Sequence, residues 1–378
     1  MDMVYLDNSA TTMPCKESIE AINTCLKDTW GNPSSLHSLG FEAENVMEDA
    51  RKTVAKYINC SEKEIYFTSC GTESNNTAIL GAARRRKKQG KRIVTSAIEH
   101  SSVLESMKLL ENEGFEVVYL KPDKNGNITK EQIENAIDEN TVLVSLMLVN
   151  NEIGSVLPIE CVKDIVKQKK SPALIHCDAV QGFGKIPINV KSLGVDMLTA
   201  SGHKIHAVKG IGFLYIKQGV SINPLILGGG QEKGMRSGTE SVPLIASLSA
   251  AIKALPNLKT QLEIQQELLS YAKQKLNDLE DIKINSPENA LPYILNISVL
   301  GFRSETLLHF LENIDIFVSS GSACSKGKGS YVLNEMGLEK QIADSALRIS
   351  FSRFNTKEDI DKLVSGINSA IAKLRKAR

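Results

Sequence analysis

An α/β chain built on a mainly parallel sheet is what three features of the sequence predict. Strand-like apolar runs alternate with helix-length amphipathic ones between Glu64 and Thr199, the pattern of βαβ units. Polar residues fall just past the ends of those runs: His100, then Asn150, Asn151 and Glu152, then Asp178 and Gln181, then Lys204. Ligands gather at the carboxyl ends of strands in such sheets. The length, 378 residues, allows a large core and a smaller second domain.

Taken in order, Tyr5 to Thr12 is a short β-like start followed by small polar residues, read as an N-terminal arm over residues 1–14. Gly31 to His37 is a loop by its Gly, Asn, Pro and Ser content. From Leu39 to Ile58 the apolar spacing approximates 3.6 and predicts a helix. Glu64–Ser69 reads as a strand, Cys70–Asn76 as a glycine turn and Thr77–Arg86 as a helix. Free N–H groups, a helix N-terminus and the Thr72 hydroxyl would bind an anion such as phosphate there, although a simple N-cap fits this motif alone as well. The run Arg84–Lys88 is read as a solvated helix end rather than a nucleic-acid patch.

Strand-like Arg92–Ala97, Glu116–Leu120, Val142–Val149 and Ala173–Cys177 then alternate with helical Ser102–Asn112, Thr129–Ile137 and Ile159–Gln168. The next apolar run ends in Ser201-Gly202-His203 and presents Lys204. An ammonium at the end of an apolar strand is costly to desolvate, so it lowers its pKa or gives up its charge as a Schiff base. Gly228–Glu240 is a long glycine-rich loop, the kind that usually has a use. Helical Val242–Ala254 and Leu258–Leu279 lead into a second domain beginning near residue 258. There, Leu295–Val299 and Ile314–Ser319 read as strands around a helix at Ser304–Asn313. The small residues of Ser320–Ser330 predict an exposed, mobile loop that sets Cys324 beside Lys326 and Lys328, cations that favour a thiolate. Arg348 lies among apolar neighbours and needs an anion, either a substrate carboxylate met bidentately or a structural partner.

Composition narrows the function classes. Lys plus Arg number 45 against 44 Asp plus Glu, a formal charge of +1, so no overall field calls for nucleic acid or a membrane. The longest apolar run is too short to span a bilayer and Met1–Tyr5 carries no leader features, so a soluble cytoplasmic protein is expected. The seven cysteines are odd in number, with neither a C-x-x-C pair nor zinc spacing, which suits free thiols and no metal site.

Tyr5-Leu6-Asp7-Asn8-Ser9-Ala10-Thr11-Thr12, Gly31-Asn32-Pro33-Ser34-Ser35, Thr72-Glu73-Ser74-Asn75-Asn76, Asn150-Asn151-Glu152-Ile153-Gly154, Asp178-Ala179-Val180-Gln181, Ser201-Gly202-His203-Lys204, Arg236-Ser237-Gly238-Thr239 and Ser319-Ser320-Gly321-Ser322-Ala323-Cys324 stand in an order that resembles cysteine desulfurases of the NifS/IscS type nearly end to end. The resemblance implies a fold-type-I, class-V aminotransferase-like homodimer using pyridoxal 5′-phosphate (PLP). It implies a large domain over 15–257 with a mainly parallel seven-stranded sheet, a small α+β domain over 258–378, and an arm packed on the latter. By the same likeness Lys204 binds the cofactor and moves the substrate Cα proton, Asp178 pairs with the ring nitrogen, Gln181 meets the ring hydroxyl, and His100 stacks on the ring. Gly71, Thr72, Ser201 and His203 hold the phosphate, with Thr239 supplied across a dimer. Asn151 and Arg348 bind the carboxylate of L-cysteine, and Cys324 takes the sulfur as a persulfide for an iron–sulfur scaffold or a tRNA-thiolation enzyme. A selenocysteine lyase asks nearly the same of Lys204 and Arg348. A transaminase needs no loop thiol, and intact Lys204, Asp178 and Cys324 argue against a mere docking platform.

Overall fold

The structure is a computed structural model that describes residues 3–320 and 330–374. Its central strands carry apolar residues on both faces; every residue of Thr141–Met147, Leu174–Asp178 and Met197–Ser201 is buried, as expected of a sheet covered by helices on both sides. Seven strands form this sheet, in the order Ile65–Thr68, Gly212–Ile216, Met197–Ser201, Leu174–Asp178, Thr141–Met147, Arg92–Ser96, Glu116–Leu120. Only Gly212–Ile216 runs against the rest. Because side chains alternate across a strand, Phe213 and Tyr215 face one core while Leu214 and Ile216 face the other. The second of these cores is completed by helices Gly71–Arg86 and Ser101–Asn112, through Ile79, Met107 and Leu110. The first is completed by Ser38–Ile58 and Val242–Lys253, against which Lys16–Asp28 also packs.

A separate core lies around an antiparallel sheet of Ala346–Ser350, Ile294–Val299 and Ile282–Ile284. Helices Leu258–Asn277, Ser304–Glu312 and Lys357–Lys373 contribute Leu269, Leu307 and Leu363 to it. Val4 and Leu6 belong to the same core: the arm strand Val4–Tyr5 pairs parallel with Ile316–Phe317, and the Ser350 amide donates to the Leu6 carbonyl at 2.7 Å.

Three differences from the sequence reading have local causes. Helix Gly71–Arg86 starts at Gly71 rather than Thr77, because its first turns are polar yet satisfied: Ser74 Oγ meets Thr68 Oγ1 at 2.7 Å and Asn76 donates back to the Thr72 carbonyl. The predicted strand Ile314–Ser319 shortens to Ile316–Phe317, the length over which the arm pairs. Helix Lys16–Asp28 and strand Gly212–Ile216 are elements that the sequence reading did not name. Gly212 itself is required, since a Cβ there would stand 2.8 Å from the Ala200 carbonyl oxygen and 2.9 Å from the Cys70 carbonyl carbon. That close approach lets helix Gly71–Arg86 begin directly over the sheet.

The glycine-rich loop is fixed by a buried ion pair. Arg51 meets both Glu232 carboxylate oxygens at 2.9 Å, and Glu232 also accepts from the Phe67 amide at 2.9 Å. Removing one partner strands a buried charge at about 3–5 kcal/mol. Glu232→Ala is therefore expected to lower unfolding free energy by about that amount, whereas a loss under about 1 kcal/mol in chemical denaturation would show that the pair contributes as little as a surface one.

Candidate active site

Strand Met197–Ser201 ends in a single 3-10 turn, Gly202–Lys204, which brings Lys204 to the carboxyl end of the sheet. The N-terminal arm crosses it there. Lys204 Nζ donates to the carbonyls of Ser9 at 2.5 Å and Ala10 at 2.7 Å. The arm is laced to the turn on both sides of the lysine: the Thr12 amide donates to the His203 carbonyl at 2.9 Å, the His206 amide to Thr12 Oγ1 at 2.8 Å, and the Cys15 amide to the His206 carbonyl at 2.8 Å. Burial, followed by the Arg348 guanidinium, pushes the Lys204 amine down to about 7, with Asp7 and Asp178 opposing. A lysine so placed is a free amine near neutral pH, the form that attacks a carbonyl.

Asp178 ends the neighbouring strand and is buried. Its Oδ2 accepts from Asn75 Nδ2 at 2.7 Å and its Oδ1 from the Val180 amide at 3.0 Å. Asn75 also donates to Ser102 Oγ at 2.9 Å, and Ser102 Oγ lies 2.9 Å from His100 Nδ1. The Ser102 amide donates to the same nitrogen at 3.2 Å, so Nδ1 carries no proton and the neutral ring holds its hydrogen on Nε2. Burial pushes the His100 imidazole downward in spite of Asp178. One polar chain thus fixes both the carboxylate and the imidazole. Asn75 and Ser102 were outside the residues expected to act; their signal was only membership of a polar run, because a supporting role is invisible until the fold places them.

Gly71, Thr72, Ser201 and His203 converge beside Lys204. A methyl placed on Gly71 would meet Val180 Cγ2 at 2.9 Å and the Ser201 Cβ at 3.6 Å, so the start of helix Gly71–Arg86 lies against the strand end. Cys70 gives that helix no side-chain cap, and Ser201 Oγ is buried without a partner. Uncapped amides, the positive end of a 16-residue helix and an orphan hydroxyl form an anion cup. Burial and then Lys204 push His203 down to about 3, so it enters the cup neutral, sharing a hydrogen bond with Thr11 Oγ1 at 3.2 Å.

The remaining expected residues are placed less uniformly. Gln181 donates to the Ser9 carbonyl at 3.0 Å and accepts from Lys185 Nζ at 3.0 Å. Arg348 is buried and donates to Asp7 Oδ1 at 2.8 Å and to the Asn151 carbonyl at 3.1 Å, while Asn151 Oδ1 is left without a partner. Thr239 is exposed in the loop tied down by Glu232 and by the Arg236–Glu73 ion pair at 3.0 Å. Cys324 lies outside the described residues. On either side of 321–329, Ser319 exchanges two backbone hydrogen bonds with Arg348, and Ser330 Oγ donates to the buried Glu152 carboxylate. Sequence reasoning also passed over Glu99 and Glu152 as titrating groups. Burial raises both, Glu99 to about 8.

An amine held near neutrality, a carboxylate on the adjacent strand and an uncapped anion cup between them make a site suited to a small molecule that carries both a carbonyl and a phosphate. Residues 4–363 match the family described as aminotransferase class-V. A cysteine desulfurase IscS of Methanosarcina thermophila is 40% identical, over 98% of this chain and 93% of its own. A solved NifS-like protein superposes with a TM-score of 0.93 at 40% identity, covering 98% of this chain and 100% of its own. Another, SspA in complex with cysteine, reaches 0.83 at 34% identity over 93% and 99%. The chain belongs to the class-V aminotransferases, among their NifS/IscS-type cysteine desulfurases. The cofactor is PLP, and the residues present fit it: the orphan Ser201 hydroxyl and uncapped helix suit its phosphate, Lys204 its aldehyde and Asp178 its ring nitrogen.

Because the Lys204 amine titrates near 7, capture of PLP by apoprotein should rise about tenfold per pH unit below that value and level off above it. The visible band formed after stopped-flow mixing measures this. A rate still climbing at pH 9 would show an ordinary, solvated lysine.

Proposed function

We propose that the chain is a cysteine desulfurase converting L-cysteine to L-alanine, with the sulfur passed to Cys324 as a persulfide. The observation that carries the reading is the convergence on one strand end of Lys204, Asp178 and the uncapped helix at Gly71, in a chain so closely related to cysteine desulfurases. When bound, PLP supplies an electron-accepting ring that stabilises negative charge at the substrate Cα. Asp178 keeps the ring nitrogen protonated, which its two N–H donors prepare it to do by fixing the carboxylate. Gly71, Thr72, Ser201 and His203 would hold the phosphate, and His100, with Nδ1 occupied by Ser102, would offer its Nε2–H for proton transfer. Lys204 carries the proton to and from Cα. Arg348 and Asn151 receive the substrate carboxylate; Asp7 already orients the guanidinium for it. The Cys324 thiolate attacks the substrate sulfur, so that cysteine and Cys324–SH give alanine and Cys324–S–SH with no outside oxidant.

The working form is a homodimer in which Thr239 reaches the partner subunit's phosphate site. Support comes from the exposure of large apolar side chains along one stretch, Ile19, Leu26, Trp30, Leu36 and Phe41, more than a monomer usually leaves in contact with water. The cores on the two faces of the seven-stranded sheet and the separate core around the three-stranded one support a division into a large cofactor-binding domain over 15–257 and a small domain over 258–378, with the arm 1–14 packed on the latter. No described helix is long and apolar enough to cross a membrane, which agrees with a cytoplasmic enzyme. The persulfide would serve an iron–sulfur scaffold or a tRNA-thiolation enzyme.

Cys324→Ala should retain the visible band of the holoenzyme and its change on adding cysteine while losing sulfide release by at least ~100-fold, as removal of a nucleophile does. Parallel assays of alanine and sulfide decide it. Release at the wild-type rate would require a lyase mechanism without a persulfide.

A further inference from the structure

Lys185 is a buried cation with no part in the chemistry above. It sits four residues after Gln181, following Gly184 in the turn region beyond strand Leu174–Asp178, and is 5% exposed. Its Nζ donates to Gln181 Oε1 at 3.0 Å and lies 5.7 Å from the Tyr293 ring centroid. The titratable and charged groups that face it from other segments are Lys204, Arg348, His203 and His206, and no acidic side chain is among them. Burial, then Lys204, push it down to about 7. Such a cation is costly, and the hydrogen bond it makes points to its use.

An amide has two distinguishable ends, and here each meets a group that accepts only one of them. In the observed hydrogen bond the Lys185 amine donates to the amide oxygen, and a backbone carbonyl can only accept. With Lys185 on one side and the Ser9 carbonyl on the other, Gln181 has a single allowed orientation: Oε1 toward Lys185 and Nε2 toward Ser9. Turning it over would lose the Lys185 bond and set carbonyl against carbonyl. The Ser9 oxygen that receives Gln181 Nε2 also receives Lys204 Nζ, so the donor end of the amide is aimed at the place where Lys204 works.

We propose that Lys185 is a positioning residue that locks the Gln181 amide with its N–H groups toward Lys204, making Gln181 an obligate donor to an anionic oxygen of the bound cofactor. The inference rests on the PLP reading. It adds what that reading does not specify: the polarity of the Gln181 contact and the residue that imposes it. A donor there favours negative charge on the ring oxygen and disfavours a proton beside it. Loss of Lys185 therefore raises the pH at which the bound chromophore loses its proton.

The test is a pH titration of the visible absorbance band in the full-length holoenzyme for wild type, Lys185→Met, Gln181→Leu and the double variant. Lys185→Met keeps length and apolar volume, so packing is preserved. The expected result is an upward shift of the midpoint by about one pH unit, tenfold in the protonation equilibrium, in each single variant and no further shift in the double. A wild-type midpoint in Lys185→Met overturns the proposal and leaves the lysine structural. Additive shifts overturn it too, since Lys185 would then act through space and not through Gln181. Gln181→Glu provides a second route should Lys185→Met not fold: it accepts from Lys185 but cannot donate, so its midpoint must also rise, and a wild-type value there is equally fatal. Absence of any visible band in reconstituted wild type overturns the cofactor reading itself, and this inference with it.

Discussion

The contact between the Lys204 amine and the carbonyls of Ser9 and Ala10 organises this protein. Those two residues belong to an arm whose strand pairs with Ile316–Phe317 and whose Leu6 and Ser9 are hydrogen-bonded to Ser350. Lys204 belongs to the seven-stranded sheet. The Lys204 amine therefore stands where the core around the three-stranded sheet is joined to the seven-stranded sheet, and the carbonyl pair takes its hydrogen bonds in place of a carboxylate. Carbonyl oxygens solvate an ammonium only partly, which is the condition for a lysine that can lose its proton near neutrality. A carboxylate in that place would have raised the amine instead.

A second constraint is the helix Gly71–Arg86, which serves two ends of the site at once. Its first amides face the anion cup, and one turn further Asn75 reaches across to Asp178 and Ser102. The spacing between the anion cup and the Asp178 carboxylate is thus set by one rigid element. Gly212 permits the helix to begin so close to the sheet, and Glu73 ties its first turn to Ser69 and Arg236. The glycine-rich loop that bears Thr239 is in turn held by the buried Arg51–Glu232 pair, so its backbone is fixed even where its tip is exposed.

Most of the sheet was legible because parallel strands buried on both faces leave long apolar runs, and the site residues at their carboxyl ends followed from that placement. Lys204, Asp178 and His100 belong to this group. The arm was harder to read. Nothing in Ser9 or Ala10 as residue types distinguishes a free arm from one whose carbonyls hold an amine, since their contribution is made by the backbone. The apolar neighbours of Arg348 ask for an anion without saying which, and the fold places Asp7 against it. Asn75, Ser102, Glu152 and Lys185 act through other side chains, and a sequence carries no mark of that until distant segments meet. Helix Lys16–Asp28 has apolar residues at helical spacing, Ile19, Ile22 and Leu26, but Ile19 and Leu26 of that stripe are exposed.

The arm also bears on how the chain reaches its working state. Strands Met197–Ser201 and Gly212–Ile216 are close in sequence and pair directly, so the turn bearing Lys204 is built from local contacts of the kind that form early. Its contact with Ser9, by contrast, spans 195 residues, and the arm's own docking partners are Ile316–Phe317 and Ser350. The arm is consequently placed only when contacts of very long range close, Ser9 and Ser350 being 341 residues apart. Until then the amine has no carbonyl pair around it. The surroundings that push the Lys204 amine down are thereby completed only when the core around the three-stranded sheet has joined the seven-stranded one.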